Sequence, residues 1–516
     1  MAPAPGRYLA PWRRSSVTGY ANGGNKFDLN KWDDDYFRRL RDFMVKAGER
    51  GIIVEINLFC PFYGDAQWDL SPFNAKNNVS GLGDVNRLDV YTLDKHGGLL
   101  EVQERFVRKI VGELKGFDNL YYEVCNEPYA TKVPMNWQER IVDVIVDAER
   151  ELPAKHLISL NVSNGSQKVE NPHPAVSIFN FHYATPPDAV AVNYGLKKLI
   201  GDNETGFRGV GDGPYRMEAW DFLVAGGGLY NNLDYSFTAG REDGTFAYPS
   251  TQPGGGTPAL RKQLRILRDF ISGFDFAGMK PDDSVVKEPK PQGLTARALI
   301  DRGKSYAIYL RTPSPTTFSA RWAGLVEPEF SEDYVFYTRS NDGVRLWVDD
   351  KPVIDNWTDH GETEDQGAVR LEAGRKHRIR LEYFYSGGSG VTRLYWSSPS
   401  RARELVPARR LYTLDGSKHG LQAEYFNGVD LRQLATTRID EKIDFPWGDA
   451  PPAFAPRVAT SAVSLTVDLP AGEYSAEWVD TKTGAVAKRE KFKHKGGARS
   501  LAAPEFKDDV ALRIKG

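Results

Sequence analysis

The chain has few cysteines, few histidines and no long apolar run. Only Cys60 and Cys125 are cysteine among 516 residues, which excludes a disulfide framework. Each lies in or just after an apolar, strand-like run, and buried free thiols are expected for both. The eight histidines include no HExxH, and there is no CxxC, so a zinc site has no support. No run is apolar enough to span a membrane. The opening MAPAPGRYLAPWRR lacks the apolar middle of a secretory leader. Charge is nearly balanced, at −2, with no long basic block, which argues against a nucleic-acid partner.

Hydrophobic residues make up 41% and charged residues 26%, the balance of a globular protein long enough for several domains. Aromatics are plentiful, at 11 Trp, 24 Tyr and 26 Phe. Rings of this kind stack on sugars, and they also fill ordinary cores.

From residue 31 to about 240, helical and strand patterns alternate. KWDDDYFRRLRDFMVKAGERG carries a helical stripe that stops near Gly48 and Gly51. Six strand-like runs can be found: Gly51–Phe59, Asn119–Cys125, His156–Val162, Val176–Ala184, Leu199–Glu204 and Leu229–Phe237. Continuous apolar runs alternating with helices imply parallel strands covered on both faces. The expected fold class is α/β, a (β/α)8 TIM barrel lacking its first two strands. The roughly 30 Gly/Pro/Arg-rich residues ahead of the first helix cannot hold two βα units. A chain that starts inside the domain is therefore expected, from a secreted or cell-surface parent.

Parallel strands gather their C-terminal ends, and the catalytic groups there, on one face. NLYYEVCNEPY delivers Glu127 at such a tip, between Asn126 and Pro128, and LIGDNETGF delivers Glu204. Two strands intervene, so in an eight-membered ring the two tips lie nearly opposite. Paired carboxyls across a cleft suit acetal hydrolysis: one protonates the leaving oxygen while the other attacks or directs water. One tip glutamate is ordinarily a solvated loop residue. Two, each preceded by asparagine, favour catalysis. Glu123 points the other way and is expected to be a structural carboxylate of the barrel wall, paired with an Arg or Lys.

NEP at a strand end, with a second strand-end glutamate three strands on, resembles clan A of the retaining glycoside hydrolases. The likeness is greatest to family 5, with its cellulase-like barrel, and covers about residues 1–275. The resemblance implies Glu127 as acid/base, Glu204 as nucleophile and Asn126 as a partner of the sugar 2-hydroxyl. FNFHYA resembles the strand-six segment that supplies a His and a Tyr, here His182 and Tyr183, one residue closer together than the family usually has them. The family's strand-two arginine would lie upstream of Met1, and its strand-eight tryptophan is missing. LYNNLDYSF offers Asn231, Asn232, Asp234 and Tyr235 instead. Trp68, Trp220 and Tyr230 are candidate substitutes for that ring, Trp220 being better explained by core packing. The implied reaction is double displacement on β-linked glycans, with no cofactor required. Glu204 would be ionised, and Glu127 would hold its proton near neutral pH. The alternative is a non-catalytic carbohydrate-binding or adhesion protein with a degenerate barrel.

Beyond residue 290, short strands and Gly, Pro and Asp turns suggest two all-β sandwich domains. FSARWAGLVEPEFSEDYVFYTRSNDGVRLWVDDKPVIDNW resembles the protective-antigen-type β-sandwich of secreted glycosidases and adhesins. Pieces of that module's usual opening, HGLQAEYFNGVDL and IDFPWGDAPP, come later here, which implies a circularly permuted sandwich over residues 318–456. Its flanks would form a second sandwich of the collagen-binding type, a name without functional weight. Expected boundaries are 1–275 for the barrel, 276–317 for a linker and first strands, 318–456 for the insert and 457–516 for the remainder. Asp342, Asp349 and Asp350 are candidate Ca²⁺ ligands, although the NDG and DDKP turns account for them as well.

Overall fold

The computed structural model describes residues 6–206, 212–238, 240–246, 256–287, 294–311, 318–358, 360–385, 390–448, 463–506 and 508–516. The expected Pro-rich linker and the 456/457 boundary fall outside these residues. Contacts divide the chain into two compact units: Met1–Asn203 with Gly227–Leu229, and Glu204–Gly226 with Tyr230–Gly516.

The first unit opens with an antiparallel hairpin, β1 (Trp12–Thr18) and β2 (Asn25–Trp32), in the stretch where no strand was expected. Helix α1 (Asp34–Gly48) follows. The Asp33 side chain caps it by accepting from the Tyr36 N–H, and Asp34 and Asp35 sit at the positive end of its dipole. Then come β3 (Val54–Phe59), α2 (Asp65–Leu70), α3 (Leu100–Leu114), β4 (Leu120–Cys125), α4 (Met135–Ala148), β5 (Leu157–Asn164), β6 (Ile178–His182), α5 (Asp188–Asn193) and β7 (Leu199–Glu204). Helix α6 (Asp212–Val224) precedes β8 (Leu229–Tyr230), which is two residues long where nine were expected.

Strands β3 to β8 form one sheet in chain order, and β3/β4, β4/β5 and β5/β6 pair in parallel. The sheet curls. Asn203 of β7 donates to the Glu55 carboxylate of β3 at 3.0 Å. Four strand steps in a flat sheet would separate these strands by about 19 Å. This is a parallel half-barrel, and a closed ring of eight strands is not seen among the described residues. Helices α3 and α4 turn their apolar faces to the core, burying Phe106, Ile110, Trp137 and Ile141.

The second unit contains α6, α7 (Pro258–Ile271), β9 (Lys280–Pro281), β10 (Thr295–Asp301) and β11 (Ser305–Arg311). Next are β12 (Phe318–Val326), β13 (Asp333–Ser340), β14 (Val344–Val348), β15 (Lys351–Asn356), β16 (Thr363–Arg370) and β17 (His377–Tyr385). They are followed by β18 (Gly390–Ser398), β19 (Arg401–Leu405), β20 (Leu411–Tyr412), β21 (Leu421–Asn427), β22 (Gln433–Asp440) and β23 (Asp444–Gly448). The last strands are β24 (Ser464–Val479), β25 (Val486–Ala502) and β26 (Asp509–Lys515).

Strands β12 to β23 build one sandwich of two antiparallel sheets around Trp322, Phe336, Leu381 and Trp396. The late segment completes it. β21 pairs with β12, β23 pairs with β18, and Trp322 Nε1 donates to Asp440 Oδ2 at 2.7 Å.

The flanks do pair, β11 with β26 in unbroken antiparallel register. Away from the helices they enclose a core of their own around Ile308, Val467, Trp478 and Ile514. They make a single sheet, ordered β25-β24-β26-β11-β10-β9. One face of it packs against α6 and α7, where Trp220 stacks on Tyr309 with ring centroids 5.5 Å apart. The physical reason lies in α6, which buries side chains all round its circumference and so needs cover on every side.

Candidate functional site

Strand β4 ends at Cys125, and the Asn126 N–H still donates to the Phe59 carbonyl at 2.9 Å. Pro128, with no N–H to offer, then starts a short 3-10 turn. Between them Glu127 takes a left-handed backbone, φ 40°, a conformation that costs a non-glycine residue about 1–2 kcal/mol. Its N–H is anchored on Asn161 Oδ1 at 2.9 Å. The proline therefore stops the strand and the left-handed turn aims the acid.

Three side chains receive that carboxylate. The Tyr63 hydroxyl donates to Oε2 at 2.8 Å, His182 Nδ1 lies 3.1 Å from Oε1, and the Tyr129 hydroxyl is 3.3 Å from Oε1. Asn126 Nδ2 donates to the Tyr63 oxygen at 2.9 Å, so Tyr63 links the amide to the acid. His182 is fully buried at the end of β6, and Tyr183 beside it has φ 54°.

Glu204 is the last residue of β7. Its position follows from the strand that carries it, because the adjoining Asn203 is tied into the sheet interior. Glu127 thus stands just past the end of β4 and Glu204 at the end of β7.

The electrostatics of Glu127 depart from expectation. The hydrogen bond from His182 holds its carboxyl below the usual carboxylate range, and those from Tyr63 and Tyr129 act the same way against the opposing effect of burial. Glu127 is thus ionised at neutral pH in the unliganded site, not protonated. Burial and the same Glu127 contact push the Tyr63 hydroxyl far up, keeping it a donor.

Below the tips lies a buried polar layer. Glu123 accepts from Asn57 Nδ2 at 3.0 Å, Asn180 Nδ2 at 2.7 Å and Ser159 Oγ at 3.3 Å. Its charged neighbour is Glu55, not the expected Arg or Lys. Burial first, then Glu55, push the Glu123 carboxyl well above its ordinary range, so Glu123 holds a proton. Glu55 in turn accepts from Asn203 Nδ2 and the Tyr121 hydroxyl.

Other expected site residues fall elsewhere. Trp68 is buried in helix α2 against Phe62, as core rather than sugar floor. Trp220 is core, and the Tyr230 hydroxyl donates to the Tyr215 carbonyl. Asn232 lies just past β8, and Asp234 is ion-paired with Arg261 at 2.8 Å. Cys125 is buried as expected, but Cys60 is exposed, because it lies one residue past the end of β3. The sequence reading missed Tyr63, Tyr129 and Asn161. Tyr129 adjoins the NEP motif, and Tyr63 follows the strand that precedes it in the sheet.

Asp342, Asp349 and Asp350 do not gather into a cluster that could hold a metal ion among the described residues. All three have left-handed backbones, at φ 58°, 48° and 63°, and Asp349 is engaged by His377 Nδ1 at 2.7 Å and the Arg378 N–H. Turn geometry accounts for them.

The PA14 domain family matches residues 291–410, so the C-terminal region carries a protective-antigen-like domain. Over 168 residues the chain is 39% identical to the anti-sigma-I factor RsgI3 of Acetivibrio thermocellus, covering 32% of this chain and 24% of that protein. Over 96 residues it is 29% identical to the protective antigen of Bacillus anthracis, covering 18% of this chain and 12% of that one. The chain thus spans a quarter or less of the length of these relatives. A candidate glycoside hydrolase from Bacteroides vulgatus ATCC 8482 superimposes with a TM-score of 0.42 at 13% identity, covering 73% of this chain and 69% of that one. A likeness of that size carries no argument about activity.

Proposed function

We propose that the chain is a retaining O-glycosyl hydrolase of β-linked glycans or polysaccharides, with its chemistry at the tips of β4 and β7. One observation carries the reading: Glu127, just past the tip of β4, is held by Tyr63, Tyr129 and the fully buried His182, and β7 of the same curled parallel sheet ends in a second glutamate, Glu204. Retaining enzymes hold their two carboxyls about 5–5.5 Å apart, close enough for one to attack the anomeric carbon while the other serves the leaving oxygen.

In this reading Glu204 attacks and Glu127 is the acid/base. Glu127 starts ionised, so its proton arrives with the substrate, when the sugar displaces water and deepens its burial. His182 suits both states. Its Nδ1 donates to the carboxylate, and in the other tautomer accepts from the acid. Asn126, which donates to the Tyr63 oxygen, would meet a sugar hydroxyl in this reading, with Tyr183 beside His182. Asn232 and Asp234 remain proposed substrate contacts only, and a secreted or surface-displayed parent goes with a glycan substrate.

The test is turnover of aryl β-glycosides by the wild type, Glu204→Ala and Glu127→Ala. The expected result is hydrolysis by the wild type and none by Glu204→Ala, which keeps its affinity for the glycan. Glu127→Ala should be rescued toward substrates with good leaving groups, which need no protonation. A wild type that binds glycans but turns over none of these substrates leaves only the carbohydrate-binding alternative.

A further inference from the structure

One face of the C-terminal sheet presents cations in a pattern unrelated to the strand-tip acids. On β25 the alternating residues Arg489, Lys491, Lys493 and Lys495 point the same way, because side chains of a strand alternate between faces. All four are exposed. They form a line about 20 Å long, from six steps of about 3.3 Å. Two strands further in, Arg513 and Lys515 of β26 extend the same face, since the register sets Arg513 opposite Glu477 and Glu477 opposite Arg489.

These inner cations are held in place. The Arg513 guanidinium lies 5.5 Å from the Phe270 ring and Lys515 Nζ lies 5.8 Å from the Phe274 ring, while Lys515 also donates to the Gly273 carbonyl at 2.8 Å. Ser475, Glu477, Arg513 and Lys515 line a hollow of about 150 Å³ between the strands. On β24 this face carries two acids, Glu473 and Glu477. Arg489 and Arg513 share Glu477, at 2.7 and 2.9 Å, and Lys493 stands 3.7 Å from Glu473. Lys491 and Lys495 make no ion pair among the described residues.

Lysines on an edge strand commonly guard it against pairing with another chain. That explanation covers β25, the edge of this sheet, but not Arg513 and Lys515 on the third strand. We propose that this face binds a linear anionic polysaccharide, its carboxylate or sulfate groups lying along the β25 row and in the β26 hollow. A line of charge fits an extended polyanion better than a compact one. The β25 row itself carries no aromatic ring on which nucleic-acid bases could stack, since Phe492 points to the opposite side of the strand. The inference is independent of the hydrolase reading.

The test measures binding of the full chain to immobilised polygalacturonate, heparin, neutral dextran and a single-stranded oligonucleotide, over a series of salt concentrations. The proposal expects binding to polygalacturonate, heparin or both, weakening steeply with salt, and none to dextran. Polygalacturonate alone identifies carboxylates and heparin alone identifies sulfates, and either supports the proposal. Changing Lys491, Lys493 and Lys495 together to Glu should weaken binding roughly tenfold or more, by removing about three ionic contacts. A triple Lys→Gln variant, checked by its melting curve, should show a smaller loss in the same direction. Absence of binding at low salt, variants that bind like the wild type, or an oligonucleotide bound as tightly as the polysaccharides would each overturn the proposal.

Discussion

Replacing Glu123 separately by glutamine and by alanine tests the protonated acid beneath the site. The Glu123 carboxyl is completely buried, with Glu55 beside it and donors from Asn57, Asn180 and Ser159 around it. Glu123→Gln keeps an acceptor for those donors and supplies an N–H toward Glu55 where the acid supplied an O–H. The cost at neutral pH should be within about 1 kcal/mol. Glu123→Ala strips the acceptor from Asn57 and Ser159, at about 1–3 kcal/mol for each buried donor, and leaves a small cavity besides. The sum is about 3–5 kcal/mol, a large part of the roughly 5–15 kcal/mol that holds a domain folded. Circular dichroism should show Glu123→Ala melting at least about 6 °C lower, at about 2–4 °C per kcal/mol for a unit of this size. The pH dependence gives a second readout. A buried acid with a raised pKa binds a proton in the folded state that the unfolded chain releases above about pH 4.3, so stability falls as pH rises between the two values. Glu123→Gln removes that slope and should equal or exceed the wild type at pH 8. If Gln proves as damaging as Ala, Glu123 is not protonated and the account of this layer is wrong.

Three more outcomes follow from the same contacts. Glu127 has a depressed pKa, so its contribution to stability is present above the ordinary carboxylate range and disappears as pH falls through the folded value; Glu127→Gln should flatten that acid limb in melting curves between about pH 2 and pH 5. Asp509→Ala strands the buried Arg216 guanidinium, which Asp509 meets at 2.7 Å, and should cost about 3–5 kcal/mol in urea unfolding; an effect under about 1 kcal/mol would mean that Arg216 reaches water. Chelators should leave glycoside turnover unchanged, and the purified protein should carry no stoichiometric metal by elemental analysis. Activity that vanishes with EDTA and returns with Zn²⁺ would mean that the chemistry runs on a metal ion instead.

The parallel strands were legible because strands buried on both faces read as unbroken apolar runs, and YYEVC and SIFNF are such runs. The strand end at Glu127 was legible because Pro128, with no N–H to offer, cannot extend β4. The β1–β2 hairpin was not, since WRRSSVT and NKFDLNKW carry scattered charges and pack through a few aromatic rings such as Trp12 and Phe27. Nor was the setting of α6: its Trp220 and Arg216 meet Tyr309 and Asp509, partners far along the chain that no local pattern announces. The Glu55–Glu123 pair and the Tyr63 contact to Glu127 are of the same kind. Each joins residues more than 60 positions apart, on or just past the neighbouring strands β3 and β4, whose register the strand patterns do not specify.

The most direct test of the central claim is to trap the covalent intermediate. A 2-deoxy-2-fluoro-β-glycoside with a good leaving group forms the glycosyl-enzyme readily but loses it slowly, and peptide mass spectrometry then locates the sugar. The account predicts one equivalent of sugar on the peptide carrying Glu204, abolished in Glu204→Ala and still formed in Glu127→Ala. A sugar attached to Glu127, or no covalent adduct on an enzyme that does cleave aryl β-glycosides, would contradict it.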